Sequence, residues 1–270
     1  MTFPKLLLSA GAGVVLAVLA TIGGTPAHAA GACLTMPLVF ETMTLEGCPS
    51  EASLDKAMDA SLQVGPQSPE TGKPDGLTLT SPDDDSAKRM VHTCRGYQQA
   101  MREGWFAMTQ FDMNIEGFMR VACGSVLALQ ESKMATHSQF EAEAVDFRTL
   151  SLLPPNILGV ISPDAEDTLK LLRDASFSVA NMVATGDVLT RSGGDDQLEL
   201  AYNHIASTFA EIGRGDFNGD GNMDLLLYAR HEAIGGTLRW YELFGLAYLP
   251  GELTYERFEP AGLERLAPAP

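Results

Sequence analysis

Apolar residues recur at helical spacing in the first half of the chain and at alternating positions in the second half. Between residues 112 and 129 they follow at intervals of three and four, which is the spacing of one face of an α-helix. Asp112 is the predicted N-cap, and residues 88–103 are predicted to form an antiparallel partner helix that ends at Gly104. The apolar positions are Ile115, Phe118, Met119, Ala122, Val126 and Leu129.

A further helix is predicted from Ser162 to about Asp174, because Ser162 can cap it and Pro163 suits its first position. After this helix the period changes to two, as in strands of a half-buried sheet. Gly235-Gly236 supplies a hairpin turn between the last two apolar runs. Helices followed by four or five antiparallel strands indicate an α+β fold, with a helical half and then a small antiparallel sheet.

The first 29 residues have the pattern of a secretory signal peptide. Lys5 gives a positive start, residues 6–22 are mostly apolar, and Ala27-His28-Ala29 matches the small-x-small cleavage pattern. An uncleaved anchor and a lipid on Cys33 are the alternatives; the apolar run is borderline against the roughly 20 residues that a span needs. Cleavage predicts an exported protein, periplasmic or extracellular, with no membrane span.

The rest of the chain divides by composition. Turn-rich polar residues within 61–86 indicate a long linker after a short N-terminal piece. The predicted organisation is a signal peptide (1–29), an N-terminal segment with its Pro/Gly/Asp-rich linker (30–86), a helical region (87–175), an antiparallel β region (176–258) with a calcium loop (216–224), and a tail (259–270).

All four cysteines lie after the predicted cleavage point, and an even count in an oxidising compartment indicates two disulfides. Three pairings are open. Pairing of sequence neighbours closes the shortest loops and predicts that one bridge joins two helices. The pairs would be Cys33 with Cys48 and Cys94 with Cys123.

The chain is strongly acidic, with 35 Asp and Glu against 18 Lys and Arg and a formal net charge of −17. Such a surface repels phosphate backbones, so nucleic acid is excluded as a partner. The same charge suits an exported protein that attracts cations.

One stretch, GDFNGDGNMDLLLY at 215–228, places Asp or Asn at five alternating positions. Calcium takes six to eight oxygen ligands, and Gly219 and Gly221 let the backbone curl around one ion. The sequence therefore predicts one Ca²⁺ as the cofactor. An Asx-rich turn whose side chains bond only the backbone is the alternative. The predicted metal ligands are Asp216, Asn218, Asp220, Asn222 and Asp224.

The first half of this loop also matches an EF-hand, but position 12, where an EF-hand has a bidentate Glu, is Leu227 in an apolar strand. The loop resembles the calcium loops of FG-GAP and VCBS repeats, which lie between β-strands. The resemblance covers roughly residues 208–249 in a single copy, whereas a propeller needs several. The layout of the whole chain resembles that of exported bacterial proteins of unassigned activity.

No nucleophile, zinc-protease or P-loop motif is present in the sequence. His231 shares a strand face with Leu225, Leu227 and Ala229, which indicates a histidine at the rim of the core. The leading hypothesis is an exported calcium-binding protein with a binding or envelope-structural role and an open choice of protein or glycan partner. The alternative is a cell-wall or polysaccharide hydrolase with structural calcium, which a cleft with two carboxylates or a buried His–acid pair would favour.

Overall fold

A computed structural model describes residues 31–65, 72, 74–137, 146–191, 197–249 and 254–267 of this chain. The predicted signal peptide (1–29), part of the predicted linker and the end of the tail lie outside the described residues. The helices are α1 (Glu51–Asp59), α2 (Cys94–Arg102), α3 (Gln110–Glu131), α4 (Pro163–Asp174) and α5 (Val179–Thr185), with 3-10 turns at Pro155–Ile157 and Leu263–Leu266.

The strands are β1 (Cys33–Leu34), β2 (Leu38–Val39), β3 (Thr44–Leu45), β4 (Leu77–Thr80), β5 (Lys88–Val91), β6 (Val188–Arg191), β7 (Gln197–Tyr202), β8 (Ile205–Gly215), β9 (Asp224–Ala233), β10 (Arg239–Leu249) and β11 (Thr254–Phe258). The main sheet is antiparallel in the order β11-β10-β9-β8-β7-β6, and β1 also pairs with β8. Two small hairpins, β2-β3 and β4-β5, lie apart from it. The predicted α+β class is confirmed.

Both faces of the main sheet are covered, which explains the unbroken apolar run in β9. Leu226 belongs to one apolar cluster, whereas Leu225 and Leu227 belong to the other. Neighbouring side chains of a strand point to opposite faces, so a strand covered on both sides is apolar at every position. The first face packs on the N-terminal elements, and the second packs on residues 147–188.

Helix α3 lies against β10 on the first face, and its glycines permit the close approach. A Cβ on Gly117 would stand 2.5 Å from Tyr241 Cδ2, and one on Gly124 would stand 2.6 Å from Leu263 Cδ2. Glycine costs about 1 kcal/mol relative to alanine in a helix interior. At these two positions the absence of a side chain leaves space for large side chains from the sheet and the C-terminal turn.

Several sequence expectations are confirmed. Ser162 caps α4, Gly104 follows the end of α2 with a positive φ, and the turn containing Gly235-Gly236 joins β9 to β10. Both expected disulfides are present, and Cys94–Cys123 joins α2 to α3.

Other expectations are wrong. Thr109 caps α3, because its hydroxyl accepts from the Asp112 N–H, so Asp112 is the third helical residue. Residues 88–91 form strand β5 rather than the start of a helix. The main sheet has seven strands rather than four or five, because β1, β6 and β11 carry too few residues to show a period.

Among the helices of the described residues, none is long and apolar enough to cross a bilayer.

Candidate functional site

The Asp/Asn-rich loop connects β8 to β9 at one end of the main sheet. Gly219 and Gly221 both have positive φ, +81° and +86°, and so allow the tight curl that the sequence predicted. The two ends of the loop are deeply buried, with Asp216 2% exposed and Asp224 fully buried, whereas its tip is exposed. The loop therefore has two buried carboxylates at its ends, Asp216 and Asp224, and a solvent-exposed tip, which we call the rim.

Asp216 closes the loop by accepting two backbone hydrogen bonds. Its Oδ1 accepts from the Gly219 N–H at 2.6 Å, and its Oδ2 accepts from the Gly221 N–H at 3.0 Å. At the rim, Asn218 Oδ1 accepts from the Asp220 N–H, and Asp220 Oδ1 accepts from the Asn222 N–H. These bonds are Asx turns, and they hold the loop in shape through its own backbone donors.

Asp224 is different, because only half of its carboxylate is used. Its Oδ2 accepts from the Phe217 and Asn218 N–H groups at 2.9 and 3.3 Å. Its Oδ1 is buried and has no hydrogen-bond partner among the described residues. Burial raises the pKa of Asp224 to about 7, and the charges of Asp220 and Asp216 add to that rise. A buried carboxylate oxygen that faces nearby negative charge and lacks a donor is unfavourable.

The chain that follows α3 packs along the loop. Thr136 donates to the Gly221 carbonyl through both its N–H (2.8 Å) and its hydroxyl (3.0 Å), and the Met223 N–H donates to the His137 carbonyl. The Lys133 N–H donates to the Asp216 carbonyl, and its ammonium lies 3.4 Å from the place of a Cβ on Gly219. The loop thus joins the sheet to residues 133–137, and a cation already lies beside its rim.

The five predicted ligand residues are therefore together in one loop, but most of the side-chain oxygens of Asp216, Asn218 and Asp220 already accept hydrogen bonds from the loop backbone. Within the described residues, no group of three or more His, Cys, Asp or Glu side chains is arranged to hold a metal ion. The chemistry of the loop still suits a hard cation, because every candidate donor is a carboxylate, amide or carbonyl oxygen. The unpartnered Asp224 Oδ1 is the feature that an Asx turn leaves unexplained.

A second polar cluster lies within the sheet. His231 is fully buried rather than at the rim, and it faces Ser207 across β8 and β9. Its Nδ1 is 2.8 Å from Ser207 Oγ, and its Nε2 is 3.6 Å from Glu242 Oε2. The ring also stacks on Trp240 at 4.9 Å between centroids. This is the buried His–acid pair that would favour an enzyme, but Ser207 is 2% exposed and a substrate cannot reach it.

Glu242 connects this cluster to the surface. It is 31% exposed, and the Arg257 guanidinium donates to it at 2.7 Å. Burial raises the pKa of Glu242, but His231 and Arg257 outweigh that effect and lower the pKa to about 2. Glu242 is therefore an ionised carboxylate above about pH 3 and cannot supply a proton as a general acid.

Comparison with protein-family models, with curated proteins and with solved structures finds no match to this chain. The arrangement of its residues must therefore carry the functional argument. The sequence identified the loop through its alternation of Asp and Asn. It contained no signal for the backbone contacts of residues 133–137 or for the Ser207–His231–Glu242 cluster, because strand register brings those residues together.

Proposed function

We propose that the 216–224 loop binds one Ca²⁺ ion and that the ion stabilises the junction between the main sheet and residues 133–137. The observation that carries this proposal is the buried, unpartnered Oδ1 of Asp224. A cation at the loop would give that oxygen a partner and remove the repulsion among the three carboxylates. Asp216, Asp220 and Asp224 would supply carboxylate oxygens, Asn218 its amide oxygen and Asn222 its backbone carbonyl.

Calcium is favoured over other metal ions by the donor set. The loop offers no thiolate or imidazole, which zinc and copper prefer. Magnesium demands tight octahedral geometry and retains its waters, whereas calcium accepts the irregular, oxygen-rich surroundings of a flexible loop. Three carboxylates also carry more charge than one divalent ion neutralises, so the Lys133 ammonium beside the rim is compatible with a bound cation.

The role of the ion follows from what the loop touches. Its backbone hydrogen bonds reach residues that directly follow α3, and α3 is joined to α2 by a disulfide. An ordered loop would therefore connect the disulfide-tied elements to the main sheet. This supports a structural role for calcium in a protein that acts by binding or as part of an envelope.

Export is the setting that we propose for this role, in the periplasm or outside the cell. Two disulfides are compatible with an oxidising compartment. Free calcium outside the cytoplasm is also high enough to fill weak sites, and extracellular modules bind at about 10⁻⁴–10⁻³ M. A cell-wall or polysaccharide hydrolase remains the second candidate, supported by one cavity that Glu242 and Glu259 both line.

Isothermal titration of the chelator-treated protein with CaCl₂ tests the proposal. We expect one site per chain, weaker binding of Mg²⁺, and loss of the calcium signal in Asp224→Asn, which keeps the size of the side chain but removes its charge. Asp167→Asn, the same change at an exposed acid of α4, is the matched control and should titrate like the wild type. Absence of calcium binding by the wild-type protein at millimolar concentration would refute the proposal.

A further inference from the structure

Two cavities of about 350 and 340 Å³ lie on either side of one polar ridge on the surface of the protein. Asn156, Glu242 and Arg257 line both cavities. The first cavity opens between β10, β11, α3 and the C-terminal 3-10 turn, and the second opens toward α4. Each volume is at the lower end of the roughly 300–1,000 Å³ of small-molecule sites. No residue of the 216–224 loop lines either cavity.

The side chain of Asn156 has an acceptor that the fold does not use. Its Oδ1 is buried and has no hydrogen-bond partner within the described part of the chain. The backbone carbonyl of the same residue accepts from Arg257 Nη1 at 2.7 Å, so the backbone is anchored while the amide oxygen is not. An unsatisfied buried acceptor costs about 1–3 kcal/mol. The Asn156 side chain lines both cavities, so a rotation of its amide would bring this oxygen to a ligand hydroxyl or N–H, and that bond would remove the cost.

The charges in the first cavity select against an ion. Arg120 and Arg257 are balanced by Glu242 and Glu259, and Glu242 is already paired with Arg257. The cavity thus offers guanidinium donors and carboxylate acceptors but no excess of either sign. The strongly acidic chain also repels anions at long range. A ligand that carries both donors and acceptors and no net charge fits these walls best.

Aromatic rings complete the cavity. Tyr241 and Phe258 are partly exposed and line it, while Phe244 lies buried beneath the Arg257 guanidinium at 4.5 Å. Sugar rings combine hydroxyl groups at their edge with apolar C–H faces, so one sugar can use the polar ridge and the aromatic wall together. We propose that this cleft binds a neutral sugar residue of a glycan, with Asn156 as an acceptor for a sugar hydroxyl.

The proposal is one of binding and does not depend on the calcium site. It includes no step that cleaves the glycan, and in it Glu242, held as a carboxylate by Arg257, acts only as an acceptor. The experiment uses the full-length oxidised protein and three neutral trisaccharides as probes, namely maltotriose, cellotriose and N,N′,N″-triacetylchitotriose. Saturation-transfer NMR detects binding, and calorimetry measures it.

We expect at least one trisaccharide to bind more tightly than its monosaccharide, with a dissociation constant of about 1 mM or below. Asn156→Ala should weaken that binding about tenfold, which corresponds to about 1.4 kcal/mol. Its melting temperature should not fall, because the lost oxygen has no partner in the fold. Arg120→Gln, on the exposed side of α3, should weaken binding severalfold and gives a second variant, whose melting temperature is measured in parallel because Arg120 also contacts the buried Tyr97 hydroxyl.

Gln98→Ala is the matched control, because Gln98 is another buried amide with an unpartnered atom, in α2 and outside the cavity. It should leave sugar binding unchanged. Two results would overturn the proposal: no binding of any trisaccharide at about 10 mM, or equal binding by wild type and Asn156→Ala. Preference for glutamine, a zwitterion tested in parallel, would also overturn it.

Discussion

The two faces of the main sheet are attached to the rest of the chain by different kinds of interaction. On the first face, the covering elements are crosslinked by Cys33–Cys48 and Cys94–Cys123. No disulfide lies on the second face within the described residues. There, buried polar contacts link the covering loop to the strands: the Gly159 N–H donates to Ser207 Oγ, and Arg257 donates to the Asn156 carbonyl.

The difference shows how one sheet can depend on two separate conditions. Disulfides restrict the unfolded chain and hold only in an oxidising compartment. Ion pairs and hydrogen bonds within the second face depend instead on pH and on close packing. Reduction and acid should therefore weaken opposite faces, and both should lower the stability of the sheet that the faces share.

The largest effect is expected from the disulfide that joins α2 to α3. It spans 29 residues, and the chain-entropy model gives about 3–4 kcal/mol for a loop of this size. Cys94→Ala with Cys123→Ala should lower the free energy of unfolding in urea by that amount. The paired control, Cys33→Ala with Cys48→Ala, removes a disulfide whose cysteines are 15 residues apart. Its loss should lower the free energy of unfolding by about 0.6 kcal/mol less than the loss of Cys94–Cys123. Free thiols in the denatured, unreduced wild-type protein would contradict both assignments.

Acid should act on the second face through Glu242. Its folded pKa is lowered from 4.5 to about 2, so it stabilises the fold fully above about pH 4.5. That stabilisation, about 2–3 kcal/mol, is lost as the pH falls toward 2. Glu242→Gln should therefore be less stable than the wild type at pH 6, and the gap should close by pH 2 in urea titrations. A gap that does not depend on pH would show that Glu242 acts through packing alone.

Close packing at His231 gives a third and somewhat smaller effect. A Cβ on Gly159 would stand 2.3 Å from His231 Nδ1, and the ring is held between Ser207 and Trp240. Gly159→Ala should therefore destabilise the protein by about 2 kcal/mol, within the range for overpacked cores. The measurement is the urea midpoint.

Gly96→Ala in α2 serves as the control for that substitution. Its nearest neighbours would be Thr93 Oγ1 at 3.2 Å and Val91 Cγ1 at 3.5 Å, so the Thr93 hydroxyl must move by a few tenths of an ångström, and the gain in helix propensity should leave the change close to neutral. Equal losses from Gly159→Ala and Gly96→Ala would show that His231 is not tightly enclosed.

The sequence could predict features that depend on neighbours in the chain. Ser162 and Pro163 marked the start of α4, and the apolar run after Asp224 marked β9, because caps and periods are local signals. Pairing of neighbouring cysteines also succeeded, because short loops close at the lowest entropic cost.

Features that depend on register could not be predicted. Strand β1 is two residues long and pairs with Arg214 and Gly213 of β8, which lie some 180 positions away in the sequence. His231 meets Ser207 because of the register in which β8 and β9 pair. If one strand shifted by one residue, the two side chains would lie on opposite faces of the sheet. Asn156 carries no sequence signal, since only the fold leaves its amide oxygen without a partner.

The smallest effect on stability is expected from calcium binding to the 216–224 loop, which connects the main sheet to residues 133–137. At a free calcium concentration of about ten times the dissociation constant, the ion should stabilise the fold by RT ln 11, or about 1.4 kcal/mol. Asp220→Ala should remove the calcium-dependent rise in melting temperature, because it takes a rim carboxylate from the site. It should cost little in chelator, because Asp220 is exposed and its charge lies near Asp224.

Leu227→Glu separates this loop from an EF-hand. In an EF-hand the twelfth residue returns to the ion as a bidentate Glu. Leu227 is instead fully buried in β9, opposite Phe244 of β10, and belongs to the second apolar cluster. A glutamate there would bury a charge and should destabilise the protein without raising its calcium affinity, whereas Asp220→Ala should abolish the calcium response and leave the second face intact. If chelator leaves the wild-type melting curve unchanged, or if Asp220→Ala still responds to calcium, the loop is an Asx turn only.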